Sequence, residues 1–95
     1  MATSDQGPRV FMRAKMTVLE VKRAGWHGAE GFVIQDSIKC AAVAAKSYPA
    51  DGSDEDNTYA KFSPAGELTL TIANPALVGK IEPGTSFYLD FTKVE

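Results

Sequence analysis

The sequence predicts a mainly β fold: a small antiparallel barrel or rolled sheet of five to six strands, with one short helix before the last strand. Three observations predict it. Apolar and polar residues alternate from Val10 to Val18, from Glu67 to Ala73 and from Phe87 to Phe91, the period of half-buried strands. Glycine and proline punctuate the chain at Ala24–Gly31, Ser63–Gly66 and Pro83-Gly84. A helix start signal, Asn74 followed by Pro75, stands just before the last alternating segment.

The elements follow in order. Residues 1–9 are polar and read as a flexible tail, leaving 10–95 as a single β-rich domain. In the first strand Val10, Met12, Ala14, Met16 and Val18 share one face, and Arg13, Lys15 and Thr17 the other. The phase slips at Val18-Leu19, where Leu19 and Val21 become the apolar set, and a one-residue slip predicts a β-bulge. Ala24–Gly31 reads as a glycine-rich loop with Trp26 at its tip. Phe32-Val33-Ile34 opens a second strand, which Asp36-Ser37 either breaks or continues.

Ile38, Cys40, Ala42 and Ala44 then alternate with Lys39, Ala41, Val43 and Ala45, which favours a strand, although the alanines also suit a helix. Asp51–Asn57 reads as an exposed acidic loop, and Thr58–Phe62 as a strand ending in a hairpin turn at Ser63–Gly66. Glu67–Ala73 places Leu68, Leu70 and Ile72 inside, with Thr69 and Thr71 outside. Asn74 and Pro75 predict a helix of about two turns over Pro75–Lys80. The last strand places Phe87, Leu89 and Phe91 inside, Tyr88 and Asp90 outside. An OB-like or SH3-like barrel is the nearest comparison, and a two-layer α+β sheet is the alternative.

Composition narrows the function classes. Ninety-five residues, 44% hydrophobic and 23% charged, suit one globular domain. No apolar run approaches the ~18 residues of a membrane span. Residues 1–9 lack the apolar centre of a secretory signal. The one cysteine, Cys40, excludes an internal disulfide and suits a reducing cytoplasm. Residues 1–47 carry +3 and residues 48–95 carry −5, which gives the net −2. An acidic domain argues against tracking an extended phosphate backbone.

Catalytic groups are sparse, so no enzyme activity, cofactor or metal is expected. One histidine, His27, sits in the glycine-rich segment, and Cys40 occupies an alternating apolar position where it packs as a small hydrophobe. A zinc site needs three or four N or S ligands, which the chain lacks. The acidic loop from Asp51 fails the EF-hand pattern, because Asp56 and Phe62 stand where glycine and glutamate are needed. Gly25, Gly28 and Gly31 match no phosphate-binding loop.

A polar face remains. Arg13, Lys15 and Thr17 share a side of the first strand. Tyr59, Lys61 and Ser63 share a side of the segment after the acidic loop, and Thr69 and Thr71 of the next. If these strands adjoin, Arg13, Lys15, Tyr59, Lys61, Ser63, Thr69 and Thr71 form a ligand-binding set. Its cations would neutralise phosphate, its hydroxyls would hydrogen-bond, and its ring would stack on a base. An ordinary solvent face has the same composition. Trp26 either caps one end of the fold or anchors an interface.

Met12-Arg-Ala-Lys15, Asn57–Pro64, Leu68–Ala76 and Pro83–Phe91 together resemble a widespread group of small bacteriophage-encoded proteins, over most of the chain after residue 11. The Asn-Pro-Ala followed by Pro-Gly and the aromatic-x-x-Asp-Phe ending, Phe87 to Phe91, is the most specific part. The group resembles the viral anti-CBASS sponge proteins. That resemblance implies a homo-oligomer in the cytoplasm of the infected bacterial host that sequesters a cyclic dinucleotide or related signal without cleaving it. Arg13, Lys15, Lys61 and nearby hydroxyls would then hold the ligand. The other readings are a single-stranded nucleic-acid-binding accessory protein and a virion or assembly protein.

Overall fold

The computed structural model describes residues 9–94. The tail expected over residues 1–9 therefore lies outside the described residues, apart from Arg9. Four strands are present: β1 (Val10–Gly28), β2 (Gly31–Ala42), β3 (Glu67–Ile72) and β4 (Ser86–Thr92). They form one open antiparallel sheet in the order β3-β2-β1-β4. The mainly β expectation holds. The barrel, the five or six strands and the helix do not, among the described residues.

The phase slip at Val18-Leu19 is a bulge. The β1–β2 register shifts between Val18 and Glu20, so Leu19 is the extra residue. Because of it, Val18 still meets Cys40 and Val21 meets Ile38, keeping the apolar face continuous. Ala14, Met16, Val18, Ile38 and Cys40 are buried on that face, with Val21, Leu68, Ile72, Ile81 and Leu89 packed against them.

Three expected elements fail for identifiable reasons. The glycine-rich loop at Ala24–Gly31 is instead the end of a hairpin: Gly25 pairs with Ile34, His27 with Phe32 and Gly28 with Gly31, so only Ala29-Glu30 turn. The Phe32 ring lies over Gly25, where an added Cβ would meet it at 2.7 Å, so this glycine makes room for an aromatic ring and not for a bend.

Thr58–Phe62 is not a strand. Its start docks on β1 through one backbone bond, Thr58 N–H to Arg13 O (2.9 Å), and otherwise through side chains: Arg13 N–H donates to Thr58 Oγ1 (2.8 Å), and Lys15 N–H donates to Asn57 Oδ1 (2.8 Å). Phe62 then takes the left-handed conformation (φ 61°), which breaks the extended run.

Pro75–Lys80 makes turns only. The Asn74 carbonyl accepts from the N–H groups of Leu77 (2.9 Å) and Val78 (3.1 Å), and its Oδ1 accepts from Ala76 N–H (3.0 Å). The start signal works, but Gly79 turns left-handed (φ 83°) and gives its N–H to the carboxylate of Asp36 (2.7 Å). That bond keeps the turn from continuing as a helix and pins the β3–β4 crossover to β2.

The acidic loop is only partly exposed. Asn57 is 0% exposed, and Asp54 is also buried. Asp54 Oδ1 accepts from the N–H groups of Asp56 (2.9 Å) and Asn57 (3.2 Å). Asn57 Nδ2 donates to Val43 O (2.9 Å) and Asp54 Oδ2 (3.3 Å). These bonds fold the loop into a plug against the β1 edge.

The molecule is flat, 53 × 36 × 17 Å, with a radius of gyration of 17.1 Å. A compact chain of this length would have about 12 Å. A thickness of 17 Å leaves room for one sheet and a thin cover. The crossover supplies that cover through Ile81, but Leu70 (46% exposed), Phe87 (42%) and Phe91 (45%) on the same apolar face remain open.

Candidate functional site

Alternation puts Arg13, Lys15 and Thr17 on the polar face of β1, opposite Asp90, Tyr88 and Ser86 of β4. The cations there already have partners. Arg13 donates two bonds to Asp90, Nε to Oδ1 (2.6 Å) and Nη2 to Oδ2 (2.9 Å), with its guanidinium 4.4 Å from the Tyr88 ring centre. The Tyr88 hydroxyl donates to Asp56 Oδ1 (2.8 Å), and Lys15 Nζ lies 3.6 Å from Asp56 Oδ2. Thr17 and Ser86 share a hydroxyl hydrogen bond of 2.8 Å.

The protonation energetics match this geometry. The bonds from Arg13 hold the Asp90 carboxyl below its ordinary range, and Asp90 holds the guanidinium above its own. The hydrogen bond to Asp56 pushes the Tyr88 phenol up. Two cations and two carboxylates thus form a closed set in which phosphate would have to compete with Asp90 and Asp56.

The expected seven-residue set divides into three places. Arg13 and Lys15 lie beside β4. Thr69 and Thr71 lie on the polar face of β3, opposite Lys39 and Ser37 of β2, which separates them from β1. Tyr59, Lys61 and Ser63 belong to the loop after the plug. The Tyr59 hydroxyl sits near Gly66 and the Met16 methyl, where a Cβ on Gly66 would meet them at 3.1 and 3.4 Å. Burial pushes its phenol up. The Lys61 stem and the Phe62 ring close over Gly52, and Phe62 meets Tyr48 edge to face at 6.1 Å. Lys39 and Ser37 share the β3 side of the polar face. Their place depends on strand register, which no local pattern reveals.

The single histidine and cysteine are far apart. His27 packs edge-on against Phe32 (5.1 Å) at the hairpin end of β2, whereas Cys40 lies opposite Val18 and Leu68. Eight residues of extended strand separate Phe32 from Cys40, about 26 Å. Burial pushes the Cys40 thiol up, which makes it inert. Among the described residues, no three His, Cys, Asp or Glu side chains are grouped as metal ligands. No described helix is long and apolar enough to cross a membrane.

Recesses of about 320 and 330 Å³ lie at the start of β1, beside Arg13, Glu55 and Thr58, and along the plug, beside Ser47, Ser53 and Asp54, and two more lie on the apolar side. A hollow of about 220 Å³ has Met16, Ile38, Cys40, Leu70, Ile81 and Phe87 among its lining residues. A groove of about 450 Å³ lies between the hairpin and the crossover, lined by Phe32, Val33, Ile34, Ala73, Pro75 and Val78. Sequence reasoning assigned Leu70 and Phe87 to a closed core. The signal it lacked is the sheet's failure to close. No protein-family model, curated protein or solved structure matches the chain.

Proposed function

We propose that this chain works without catalysis, through protein contacts made by the apolar face of its sheet, as a bacteriophage virion or assembly protein. The observation that carries this reading is the open apolar face around Leu70, Phe87 and Phe91. Apolar patches of that kind mark interaction surfaces. Mass spectrometry of purified phage particles, with wild type and Phe87→Glu compared, tests it. Incorporation at stoichiometric level that Phe87→Glu abolishes is expected. Absence from particles, with no protein retained by the immobilised chain in infected lysate, would sink it.

A second reading is sequestration of a cyclic dinucleotide or related signal in the cytoplasm of the infected host. The stack of Arg13 on Tyr88, beside the hydroxyls of Thr17 and Ser86, favours it, since such a platform can carry a base and a phosphate. A phosphate would replace Asp90 on the guanidinium, and a second subunit would supply the other wall of the site. Titration calorimetry with a panel of cyclic dinucleotides decides this reading, and no heat with no thermal shift removes it. The single-stranded nucleic-acid reading requires binding that weakens with salt, and a gel shift that stays negative at low salt removes it.

A further inference from the structure

We propose that two copies of this chain stack apolar face on apolar face, each laying the end of its β1–β2 hairpin into the hollow between β3 and β4 of the other. This rests on the protein-contact reading above and specifies its partner, a second copy of this chain.

The hairpin is the first argument. β4 pairs with β1 only over Val10–Thr17, and β3 pairs with β2 only over Asp36–Ala41. Beyond Arg23 and Asp36 the ribbon has no strand at either edge among the described residues. Five residues per strand project there, about 17 Å, and an isolated two-stranded ribbon is marginal in water. Phe32 and Ile34 on this ribbon are exposed all the same.

Shape is the second. Phe32, Ile34, Ile38 and Cys40 alternate onto one face of β2, the face that also carries Leu70 and Phe87 through their partners Ile38 and Met16. The crossover divides this face, with Val78 bordering the hairpin groove and Ile81 the hollow. On one side the hairpin projects past the paired strands, with the groove along its apolar face, and the other side is recessed at the hollow. A two-fold axis at the divide brings projection over recess twice, the self-complementarity a symmetric dimer requires. Four strands are about 14 Å wide, so a 17 Å ribbon spans the partner's sheet.

Area is the third. With aromatic side chains of about 150–250 Å² each, the open parts of Phe32, Ile34, Leu70, Phe87 and Phe91 come to roughly 400 Å² of apolar surface per copy. Interfaces are about 57% apolar, so a reciprocal contact buries roughly 1,400 Å² in total, within the range of stable complexes. One hairpin docked without return buries half of that, below the range. The contact is therefore reciprocal.

Sedimentation of the purified chain at tens of micromolar is expected to give twice the monomer mass of 10.2 kDa. Phe87→Glu is expected to raise the dimer dissociation constant on the order of 100-fold. Ile34→Cys and Leu70→Cys chains, both carrying Cys40→Ala because Cys40 lines the hollow, are expected when mixed and mildly oxidised to form a disulfide-linked pair that neither forms alone. This readout does not depend on how Phe87→Glu folds. A wild-type monomer at several hundred micromolar overturns the proposal while leaving the particle experiment to judge protein contact in general. A dimer that persists in Phe87→Glu and gives no 34–70 link also overturns it, because the copies then meet elsewhere.

Discussion

Asn57→Ala tests the most specific packing statement the structure makes. The side chain is fully buried and makes three bonds, accepting from Lys15 N–H and donating to Val43 O and to the Asp54 carboxylate. Alanine leaves an amide hydrogen and a carbonyl without partners and loosens the Asp54 turn that shapes the loop. Each stranded buried group costs about 1–3 kcal/mol. The Lys15 and Val43 sites are partly accessible to water, so the lower part of that range applies, and a loss of about 3 kcal/mol is expected. For a domain of this size that lowers Tm by roughly 12–24 °C.

Urea unfolding followed by circular dichroism, at one fixed protein concentration because association shifts the midpoint, measures it. Asn57→Asp sharpens the test. It keeps the acceptor for Lys15 N–H but turns a carboxylate oxygen toward Val43 O and Asp54. It therefore loses more than Asn57→Ala at pH 7 and regains part of the loss as acid protonates the new carboxyl. An Asn57→Ala midpoint within about 0.5 kcal/mol of wild type would refute the reasoning and make the segment an ordinary surface loop.

Three further outcomes follow. Val18→Ala removes two methyl groups from a side chain 1% exposed at the centre of the core, and is expected to cost about 2 kcal/mol by the same urea assay. The Asp36 carboxyl is held low by Arg23 and by Gly79 N–H, so its contribution is present above the unfolded value near ~3.9 and is lost as pH falls through the lower folded value. Asp36→Asn is therefore expected to flatten the acid limb of a midpoint-against-pH curve, leaving the shallower dependence from Asp90 and Asp51, which titrate in the same direction. The Cys40 thiol, buried and pushed up, is expected to react with a thiol reagent at least about 100-fold faster in urea than in buffer, as followed by absorbance.

Local period was legible and closure was not. The slip at Val18-Leu19 located the bulge because a one-residue phase change in a strand has few other meanings. Leu68-Thr69-Leu70-Thr71-Ile72 and Phe87-Tyr88-Leu89-Asp90-Phe91 alternate cleanly, and both are strands. Gly25 and Gly28 read as loop residues because glycine's commonest role is the turn. The Phe32 ring over Gly25 is a cross-strand fact with no local signature. Asn57 reads as solvent-exposed among acidic neighbours, and only its bonds to Lys15 and Val43, many residues away, make it a core residue. The polar face was found correctly at Arg13, Lys15 and Thr17. Its neutralising partners, Asp90 and Asp56, come from the far end of the chain and from the plug, and register alone brings them there.

The Arg13–Asp90 pair has one more consequence. β4 ends the sheet, so among the described residues its outer row of backbone N–H and C=O groups has no strand beside it. Ser86–Thr92 is rich in aromatic and β-forming residues, the makeup of segments that stack endlessly into fibrils. Asp90 is its only charged residue. A charge in the middle of an open strand makes in-register stacking of many copies repulsive, and such gatekeepers guard natural edges. Arg13 keeps that aspartate ionised and aimed along the polar face even in mild acid. Replacing Asp90 would do little to the fold beside it and much to the chain's shelf life in concentrated solution.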